Sequence, residues 1–319
     1  MSRLVVLGST PIVRQHIDAA NSAGFNVVAI ASRRGSQSSS KLAADLAVPL
    51  VQIDSVEIAR LKPDAVLIAT APESLLELLL RLTSLNIPIL VEKPLFTSSS
   101  QFEQLLNLDL SRVIVGYNRR HYSSVMTLKS RLSNKNNYDS FWNVSELVDV
   151  KSTNLSREDI TKAILNNTVH YLDLMFFIHG ELVDMEILQR KRRIGWLREA
   201  IFYFENGSSA NFRLTFNHPI SNSVDFFLDR TIIQLKPFEI FQQFDKMSVV
   251  PISDNNKIKR YTPEQTVPWT INPSDEAFKP GFLGQYLELN SLVKGGLAPI
   301  SARVSDAYRA TKLAEQLIT

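Results

Sequence analysis

The sequence predicts an α/β fold, in which a doubly wound parallel sheet precedes a second domain of mixed helices and strands. Short apolar runs without polar alternation, such as Leu4 to Leu7, are typical of strands that are covered on both faces. Helical patterns separate these runs, and strand–helix repetition with short connections is typical of a parallel sheet. The chain has 319 residues, more than one hydrophobic core usually supports, so two domains are expected.

The first domain is predicted to be of the Rossmann type and to span residues 1–118. A helix is expected to begin at Pro72, where proline suits the first helical turn, and another near Ser100. Two further helices are expected at residues 11–23 and 39–46. The strands of the parallel sheet are expected at residues 3–8, 26–31, 64–70, 88–91 and 113–116.

The second domain, residues 119–319, is predicted to be an α+β domain with a large open antiparallel sheet. The dipeptide Asn206-Gly207 separates two strand patterns and predicts a tight type I′ hairpin. A long helix is expected to begin after Ser156 and to end before Gly180, and residues 250–280 are expected to form a loop. Closing helices at 282–292 and 304–317 are expected to pack back on the first domain. The strands are expected at residues 142–150, 199–205, 209–217 and 224–235.

Composition excludes several classes of function. The chain has no cysteine, which excludes disulfides, thiolate zinc sites and cysteine nucleophiles. No His and carboxylate cluster has metal-ligand spacing, so no metal is expected. No apolar run is long enough for a membrane helix or a signal peptide, so no membrane partner and a cytoplasmic location are expected. The densest basic cluster, residues 190–198, is interpreted as a solvated edge or loop, not a nucleic-acid site.

The turn after the first strand is a candidate phosphate-binding site. Gly8 is the only glycine of the usual G-x-G-x-x-G pattern, because Thr10 and Val13 occupy the second and third positions. Phosphate could still bind the amides of Ser9 and Thr10 and the start of the following helix, at Pro11 and Ile12. A purely structural turn without a nucleotide explains the same residues equally well.

The end of the second strand favours NADP over NAD as the cofactor. An NAD-binding domain usually has an acidic residue there, which holds the ribose hydroxyls. This chain has Ser32, Arg33 and Arg34 instead, and a hydroxyl and a guanidinium could bind a 2′-phosphate that an acid would repel. NAD remains possible, since the two arginines could also be solvated loop charges.

Several segments resemble the Gfo/Idh/MocA oxidoreductases. The segment Val91-Glu92-Lys93-Pro94-Leu95 resembles the family's most specific motif, and it follows the fourth expected strand. The segments 64–72, 115–120 and 305–310 are also similar, and His16 lies where the family's first helix often has histidine. The resemblance implies hydride transfer to or from a carbinol carbon of a sugar, a sugar derivative or a nucleotide sugar, with a nicotinamide cofactor.

The resemblance also implies roles for individual residues. Lys93 and His170 are the expected catalytic residues, since an ammonium and an imidazole can stabilise or relay charge at a reacting oxygen. The family motif has aspartate where this chain has Asn166, which cannot ionise, and Asp173 is expected to be structural. Further cofactor contacts are expected from Thr70, Ala71, Pro72, Glu92 and Lys93. Substrate contacts are expected from Tyr117, Asn118, Arg119, Asn166 and His170.

Two alternatives remain open. Tyr117, Asn118 and Arg119 could instead support the connection between the domains. The altered glycine turn and Asn166 could also mark a non-catalytic relative that only senses a nucleotide or metabolite. As the family resemblance also implies, the chain is expected to form a homodimer or homotetramer through the sheet of its second domain.

Overall fold

The computed structural model describes residues 1–148, 155–191, 196–253, 255, 257–267 and 272–318. The chain forms two compact units that interleave along the sequence. Unit 1 contains Met1–Tyr122, Ile164–Leu174 and Pro273–Thr319, and unit 2 contains Ser123–Ala163 and Met175–Asn272. The sequence predicted a boundary after residue 118, with the closing helices packed back on the first domain. Ile164–Leu174 also belongs to the first unit, which the sequence did not predict.

Unit 1 contains a six-stranded parallel sheet with the order β3-β2-β1-β4-β5-β6. The order reverses between β1 and β4, and ligands of open α/β sheets bind beyond the carboxyl ends of the strands at such a point. The α/β fold class is therefore confirmed. The strands are β1 (Ser2–Leu7), β2 (Phe25–Ser32), β3 (Leu50–Gln52), β4 (Ala65–Ile68), β5 (Ile89–Val91) and β6 (Val113–Val115).

Helices cover this sheet and complete the core of unit 1. They include α1 (Ile12–Ser22), α2 (Gln37–Asp45), α3 (Ser55–Arg60) and α4 (Pro72–Leu82). The closing helices α9 (Phe282–Val293) and α10 (Val304–Ile318) also belong to this unit, preceded by the short α8 (Pro273–Ala277). Val13 and Ile17 of α1 share one buried apolar cluster with Phe282, Tyr286 and Leu289 of α9, which explains why the C-terminal helices belong to the first unit.

Three local predictions for unit 1 were wrong or incomplete. Strand β3 and helix α3 were not predicted, because each is short and only partly buried. The helix expected near Ser100 is a 3₁₀ helix, Ser99–Leu105, in which a single residue is buried. A segment with so little apolar surface has weak helical periodicity.

Unit 2 contains an eight-stranded sheet with the order β14-β13-β12-β11-β7-β10-β9-β8. All neighbours are antiparallel except β7 and β10, which are parallel. Its helices are α5 (Ser123–Leu132) and α6 (Arg157–Ala163). The strands are β7 (Asp139–Glu146), β8 (Leu182–Lys191), β9 (Trp196–Phe204), β10 (Ser209–Phe216), β11 (Ser223–Leu228), β12 (Thr231–Leu235), β13 (Phe241–Val250) and β14 (Arg260–Val267).

The hairpin between β9 and β10 forms where it was predicted, but its turn differs. The amide of Gly207 donates to the carbonyl of Phe204 at 2.9 Å, and the amide of Phe204 donates to Ser208 at 3.0 Å. Within this turn only Gly207 has a positive φ, of 79°. A type I′ turn requires two such residues, so the connection is a longer, four-residue turn.

Other differences in unit 2 concern strands. The single strand expected at 224–235 is two strands, because Asp229 adopts a φ of 49° and reverses the chain. The loop expected at 250–280 contains β14 and α8. In the basic cluster, Arg198 is buried within β9, whereas Arg192 and Arg193 lie outside the described residues. Residues 149 and 150, the end of the strand expected at 142–150, also lie outside the described residues.

The long helix forms as predicted, with one irregular turn. Ser156 and Asp159 exchange hydrogen bonds between their backbone amides and side chains, which caps α6. A π-type turn, Ile164–Thr168, joins α6 to α7 (Val169–His179), and Gly180 follows. Such turns are frequent at functional sites. Within the part of the chain that the structure describes, none of the helices has the length and hydropathy needed to cross a membrane.

Candidate functional site

Two cavities of unit 1 lie at the carboxyl ends of β1, β2, β4 and β5. The first, the serine cavity, measures about 380 Å³, and the second, the lysine cavity, about 350 Å³. Both are lined by Thr10 and Thr70. The serine cavity is also lined by Gly8, Ser9, Ser32, Arg33, Ser36, Ser38, Ser39, Ile53, Ala71, Ser74 and Leu78. The lysine cavity is also lined by Ile12, Pro72, Glu92, Lys93, Asn118, Arg119, Tyr122, Asn167, His170, Lys279 and Phe282.

The turn after β1 requires the glycine that the sequence retains. Gly8 has a φ of 108°, and a Cβ atom there would lie 2.3 Å from the carbonyl oxygen of Ala69. Its amide donates to the carbonyl of Ala31 at 3.2 Å. The turn is therefore held between β2 and β4, and any side chain at this position would clash with the backbone after β4.

Thr10 and Val13, which replace the other two glycines, have structural contacts of their own. The hydroxyl of Thr10 donates to the carbonyl of Ala69 at 3.2 Å, and Val13 is completely buried in the core. Pro11 precedes α1 and provides no capping side chain. The amide of Val13 donates to the carbonyl of Thr10 at 2.9 Å, which leaves the amide of Ile12 for an anion at the positive end of the helix.

Hydroxyl groups dominate the serine cavity. Ser9 and Ser38 are 2.8 Å apart at their oxygens, and Ser39 donates to Ser9 at 3.0 Å. Ser36 caps α2, since its oxygen accepts from the amide of Ser39. The sequence had singled out only Ser9 of these four, because nothing in the glycine pattern marks a hydroxyl cluster in the next loop.

The residues expected to select the cofactor lie at the other side of this cavity. Ser32 is buried and donates to the carbonyl of Arg33 at 3.0 Å. Arg33 is exposed and lines the cavity, whereas Arg34 is exposed and is not among the lining residues. Arg33 is thus the arginine that can reach a ligand in the serine cavity.

Glu92 and Lys93 follow β5 and face the lysine cavity. The ammonium of Lys93 donates to the carbonyl of Asn166 at 2.5 Å, and the Lys93–Pro94 peptide is cis. Glu92 lies 3.0 Å from Nε2 of His16, and the Tyr286 hydroxyl lies 3.1 Å from Nδ1 of the same ring. Although burial opposes ionisation, His16 and Lys93 hold the pKa of Glu92 below its usual range. Glu92 is therefore an ionised residue already engaged by His16.

His170 enters the lysine cavity as a neutral imidazole. The side chain is buried, and its Nδ1 has no hydrogen-bond partner among the described residues. Burial lowers the pKa of His170 well below 6.5, and the positive charges of Arg119, Lys93 and Lys279 lower it further. The ring packs edge-on against Tyr117, with 5.4 Å between centroids. A neutral ring with a free nitrogen can accept or donate one hydrogen bond to a ligand.

Arg119 is held in place from two sides. Its Nη2 donates to the side-chain oxygen of Asn167 at 2.6 Å, and its guanidinium carbon lies 4.1 Å from the ring centroid of Tyr171. The remaining Nη1 is buried and has no hydrogen-bond partner in the described part of the chain. Lys279 also lines the cavity, and its ammonium lies 5.2 Å from the Phe282 ring. The sequence indicated neither Asn167 nor Lys279, since no motif marks them.

The remaining expected substrate residues differ in position. Asn118 lines the cavity, and its amide donates to the carbonyl of Pro280 at 2.8 Å. Tyr117 is buried behind His170, with no hydrogen-bond partner for its hydroxyl. Asn166 is exposed, although its spacing of four residues from His170 would place both side chains on one face of a regular helix. The π-type turn changes that spacing, and the recorded contact of Asn166 is through its carbonyl.

A buried ion pair fixes the segment that carries His170. Arg120 donates to both carboxylate oxygens of Asp173, at 2.6 and 2.8 Å, and its Nη1 lies 3.3 Å from Asp306. Burial alone would lower the pKa of Arg120, but the two carboxylates raise it above its usual value. Asp173 is therefore a structural anchor, three residues beyond His170 on α7.

The comparisons with known proteins agree with this geometry. Residues 2–117 match the model of the Gfo/Idh/MocA oxidoreductase family, described as an NAD-binding Rossmann fold. No curated protein is significantly similar to the chain in sequence. The first unit thus contains the nucleotide-binding domain of an oxidoreductase. Residues 2–117 are therefore a Rossmann domain of the kind that the Gfo/Idh/MocA family model describes, as the sequence had indicated.

Solved structures share the fold over nearly the whole chain. UDP-N-acetylglucosamine 3-dehydrogenase from Acidithiobacillus ferrooxidans is 16% identical, with a TM-score of 0.73 over 99% of this chain and 96% of its own. A dehydrogenase from Chromobacterium violaceum is 14% identical, with a TM-score of 0.78 over 99% and 94%. Myo-inositol dehydrogenase from Lactobacillus casei, solved with NAD(H) and myo-inositol, is 17% identical, with a TM-score of 0.70 over 99% and 93%.

Removing the anchor at Asp173 should destabilise the protein. We expect Asp173→Asn to lower the free energy of unfolding by about 3 kcal/mol, because Arg120 would remain buried with part of its charge uncompensated. Urea denaturation followed by tryptophan fluorescence measures the change. Glu77→Gln, which removes an exposed ion pair with Arg81, is the matched control and should have little effect. Equal stability of the two variants would contradict the anchoring role.

Proposed function

We propose that this protein is an NADP-preferring oxidoreductase that transfers a hydride to or from a carbinol carbon of a sugar, a sugar derivative or a nucleotide sugar. One observation carries the proposal: the serine and lysine cavities share Thr10 and Thr70. A single extended ligand could therefore reach from Arg33 to Lys93 and His170. The printed names of two structural neighbours, a UDP-N-acetylglucosamine dehydrogenase and a myo-inositol dehydrogenase, support this substrate class.

The residues at the site fit a dinucleotide. Close approach at Gly8 brings the turn after β1 against β4, and the start of α1, with the amide of Ile12, has no capping side chain that would compete with a pyrophosphate. Thr70, Ala71 and Pro72 line the two cavities beside this turn. When bound, a nicotinamide cofactor would supply or accept the hydride.

The serine cavity favours a cofactor with a 2′-phosphate. None of the residues described as lining it is acidic, so it has no carboxylate for the two ribose hydroxyls of NAD. Hydroxyls from Ser9, Ser36 and Ser38 and the guanidinium of Arg33 offer donors to a phosphate instead. These donors are the basis for proposing NADP.

Lys93 and His170 would act on the reacting oxygen. The ammonium of Lys93 can donate a hydrogen bond to that oxygen and stabilise negative charge on it. His170, neutral because of burial and neighbouring cations, can accept the hydroxyl proton during oxidation and return it during reduction. Asn166 cannot ionise, so it leaves this proton transfer to His170.

Cofactor binding tests the nucleotide half of the proposal. We expect NADPH to bind more tightly than NADH, and Arg33→Ala to weaken NADPH about 10-fold while leaving NADH within about two-fold. Nicotinamide fluorescence and tryptophan quenching measure both affinities. Arg34→Ala is the matched control, because Arg34 is equally exposed but does not line the cavity.

Other outcomes of this titration would count against the proposal. If Arg33→Ala weakened the affinity for both cofactors equally, Arg33 would not bind a 2′-phosphate. If neither cofactor bound, hydride transfer would be excluded as the function of this protein. Binding without turnover of any sugar, keto-sugar or cyclic polyol would favour the non-catalytic alternative.

The pH dependence of turnover tests the role of His170. A histidine with a pKa near 6.5 would be about three-quarters protonated at pH 6 and would lose most of its activity as a base. Because the pKa of His170 lies well below that value, we expect kcat/KM for oxidation to stay nearly constant from pH 8 to 6 and to fall only at lower pH. Initial rates with saturating cofactor measure the profile.

Variants of the two catalytic residues complete this test. His170→Gln and Lys93→Met should each lower kcat on the order of 10²-fold, while NADPH affinity changes little. Arg119→Gln removes one of the charges that lower the pKa of His170, so the acidic limb should move to higher pH. A profile unaffected by Arg119→Gln would contradict the assignment of His170 as the base.

We further propose that the chain forms a homodimer or homotetramer through the open face of the unit 2 sheet. Phe141, Leu188 and Phe227 are exposed by 46%, 42% and 39% on this face, and they line a shallow depression of about 600 Å³. Phe141 and Phe227 pack edge to face, with centroids 5.5 Å apart. An apolar surface of this kind is stabilised when a partner covers it.

Sedimentation velocity tests the assembly. Phe141→Glu should convert the oligomer to a monomer, because a carboxylate in the covered face would lose its hydration. Val56→Glu, at an exposed position of α3 in unit 1, is the control and should leave the mass unchanged. A wild-type protein that sediments as a monomer would overturn the proposed assembly.

A further inference from the structure

We propose that the lysine cavity selects substrates with an anionic group, a carboxylate or a phosphate on a sugar-sized molecule. This inference rests on the proposed function, because it names the substrate class for the same site. It derives from the charges of the lining residues, from one buried donor without a partner, and from the neutral residues beside it.

The lysine cavity has an excess of positive charge. Lys93, Arg119 and Lys279 line it, and Glu92 is the one acidic residue among the described lining residues. Glu92 is hydrogen-bonded to His16, and its side chain is 12% exposed. Three cations therefore face a space in which the only carboxylate already has a partner.

The guanidinium of Arg119 is held in place at this cavity by two neighbours. Asn167 and Tyr171 fix the plane of its guanidinium, so little side-chain entropy would be lost when a ligand binds. Its Nη1 is buried and has no hydrogen-bond partner among the described residues. A buried charged donor without an acceptor is costly, and an anionic ligand would supply the acceptor.

Lys279 adds a second cation without an ion pair. No carboxylate lies within ion-pair distance of Lys279 or Arg119 in the described part of the chain. The residue remains accessible at the rim of the cavity. Desolvation of its ammonium lowers its pKa, the charge of Glu92 partly opposes this, and the charge of Arg119 lowers the pKa further. Two cations that repel each other at one cavity would both be stabilised by one anion between them.

The neutral residues beside the cavity point to the same ligand chemistry. His170 lacks a charge at neutral pH, and Asn166 and Asn167 are amides. A carboxylate at Asn167, whose side chain accepts from Arg119, would compensate that charge and would repel an anionic substrate. Their neutrality leaves the positive charge of the cavity for the ligand.

The size of the cavity limits the ligand to a small molecule. The cavity measures about 350 Å³, near the lower limit for sites of small molecules, and the proposed cofactor would take up part of it, so the substrate can be no larger than about a monosaccharide. Carboxylates of sugar acids and phosphates of sugar phosphates both match a planar guanidinium and an ammonium. Matched pairs of charged and neutral sugars can distinguish a carboxylate from a phosphate as the bound anion.

Calorimetric titration of the full-length protein, with and without saturating NADPH, tests the inference. The probes are D-glucuronate against D-glucuronamide and glucose 6-phosphate against glucose. We expect at least one anion to bind about 10-fold more tightly than its neutral partner. A preference within the glucuronate pair identifies a carboxylate as the anion, and a preference within the glucose 6-phosphate pair identifies a phosphate. Equal affinity within both pairs, or no binding of any probe, would overturn the inference.

Three variants connect the preference to the cavity. Arg119→Gln and Lys279→Gln should each reduce the preference for the anion at least about three-fold, and Arg119→Lys should restore part of it. Lys279 is accessible at the rim, so its replacement does not threaten folding. Lys294→Gln, at an exposed position just after α9, is the control and should leave the preference unchanged. A preference that persists in both glutamine variants would assign the anion to another site.

The outcomes separate this inference from the proposed function. If NADPH binds and sugars turn over without any preference for anions, the inference fails and the function stands. If NADPH does not bind but the anion preference depends on Arg119, the cavity is an anion site and the oxidoreductase function fails.

Discussion

The buried pair between Arg120 and Asp173 is the interaction on which the candidate site depends. Asp173 lies on α7, three residues after His170, and Arg120 follows the last strand of the parallel sheet. With Asp306 of α10 as a second acceptor, the pair joins three separate parts of the chain. This explains why residues 164–174, which are far from the sheet in sequence, belong to the first unit. Without this anchor, a buried neutral histidine would have no fixed position at the lysine cavity.

A second constraint acts from the opposite side through His16. Its two ring nitrogens contact Glu92 and the hydroxyl of Tyr286, and the ring stacks on Phe282 at 4.2 Å. Glu92 is thereby kept ionised and hydrogen-bonded to His16, so it does not act as a free acid. The result is a cavity whose positive charge comes from Lys93, Arg119 and Lys279. Burial is the larger cause of the low pKa of His170, and this positive charge lowers the pKa further. The same three cations therefore contribute both to the neutrality of the proposed base and to the proposed preference for anions.

Much of the fold could be predicted from the sequence, because the strands of the parallel sheet are continuous apolar runs. Short elements with few buried residues, such as β3 and α3, were missed for the same physical reason. At the site, Lys93 and His170 could be chosen from their motif and register, and both line the same cavity. Lys279 and Asn167 could not, because their position depends on how distant segments pack. The π-type turn was equally hidden, since it changes the spacing of a helix without changing its apolar pattern.

The departures from the usual family pattern do not by themselves argue for lost function. The hydroxyl of Thr10 donates to the carbonyl of Ala69, and Val13 is buried in the core beneath α1. Both residues that replace glycines therefore have contacts that stabilise the fold. The start of α1 has no capping side chain and keeps the amide of Ile12, which is the feature that a phosphate needs. Asn166 removes a negative charge from the surroundings of a cavity that already has three cations. Asn167 and Tyr171 hold the guanidinium of Arg119, and its buried Nη1 has no hydrogen-bond partner among the described residues. A buried donor without an acceptor is costly, so its presence argues for a bound ligand and against a chain that has only lost its chemistry.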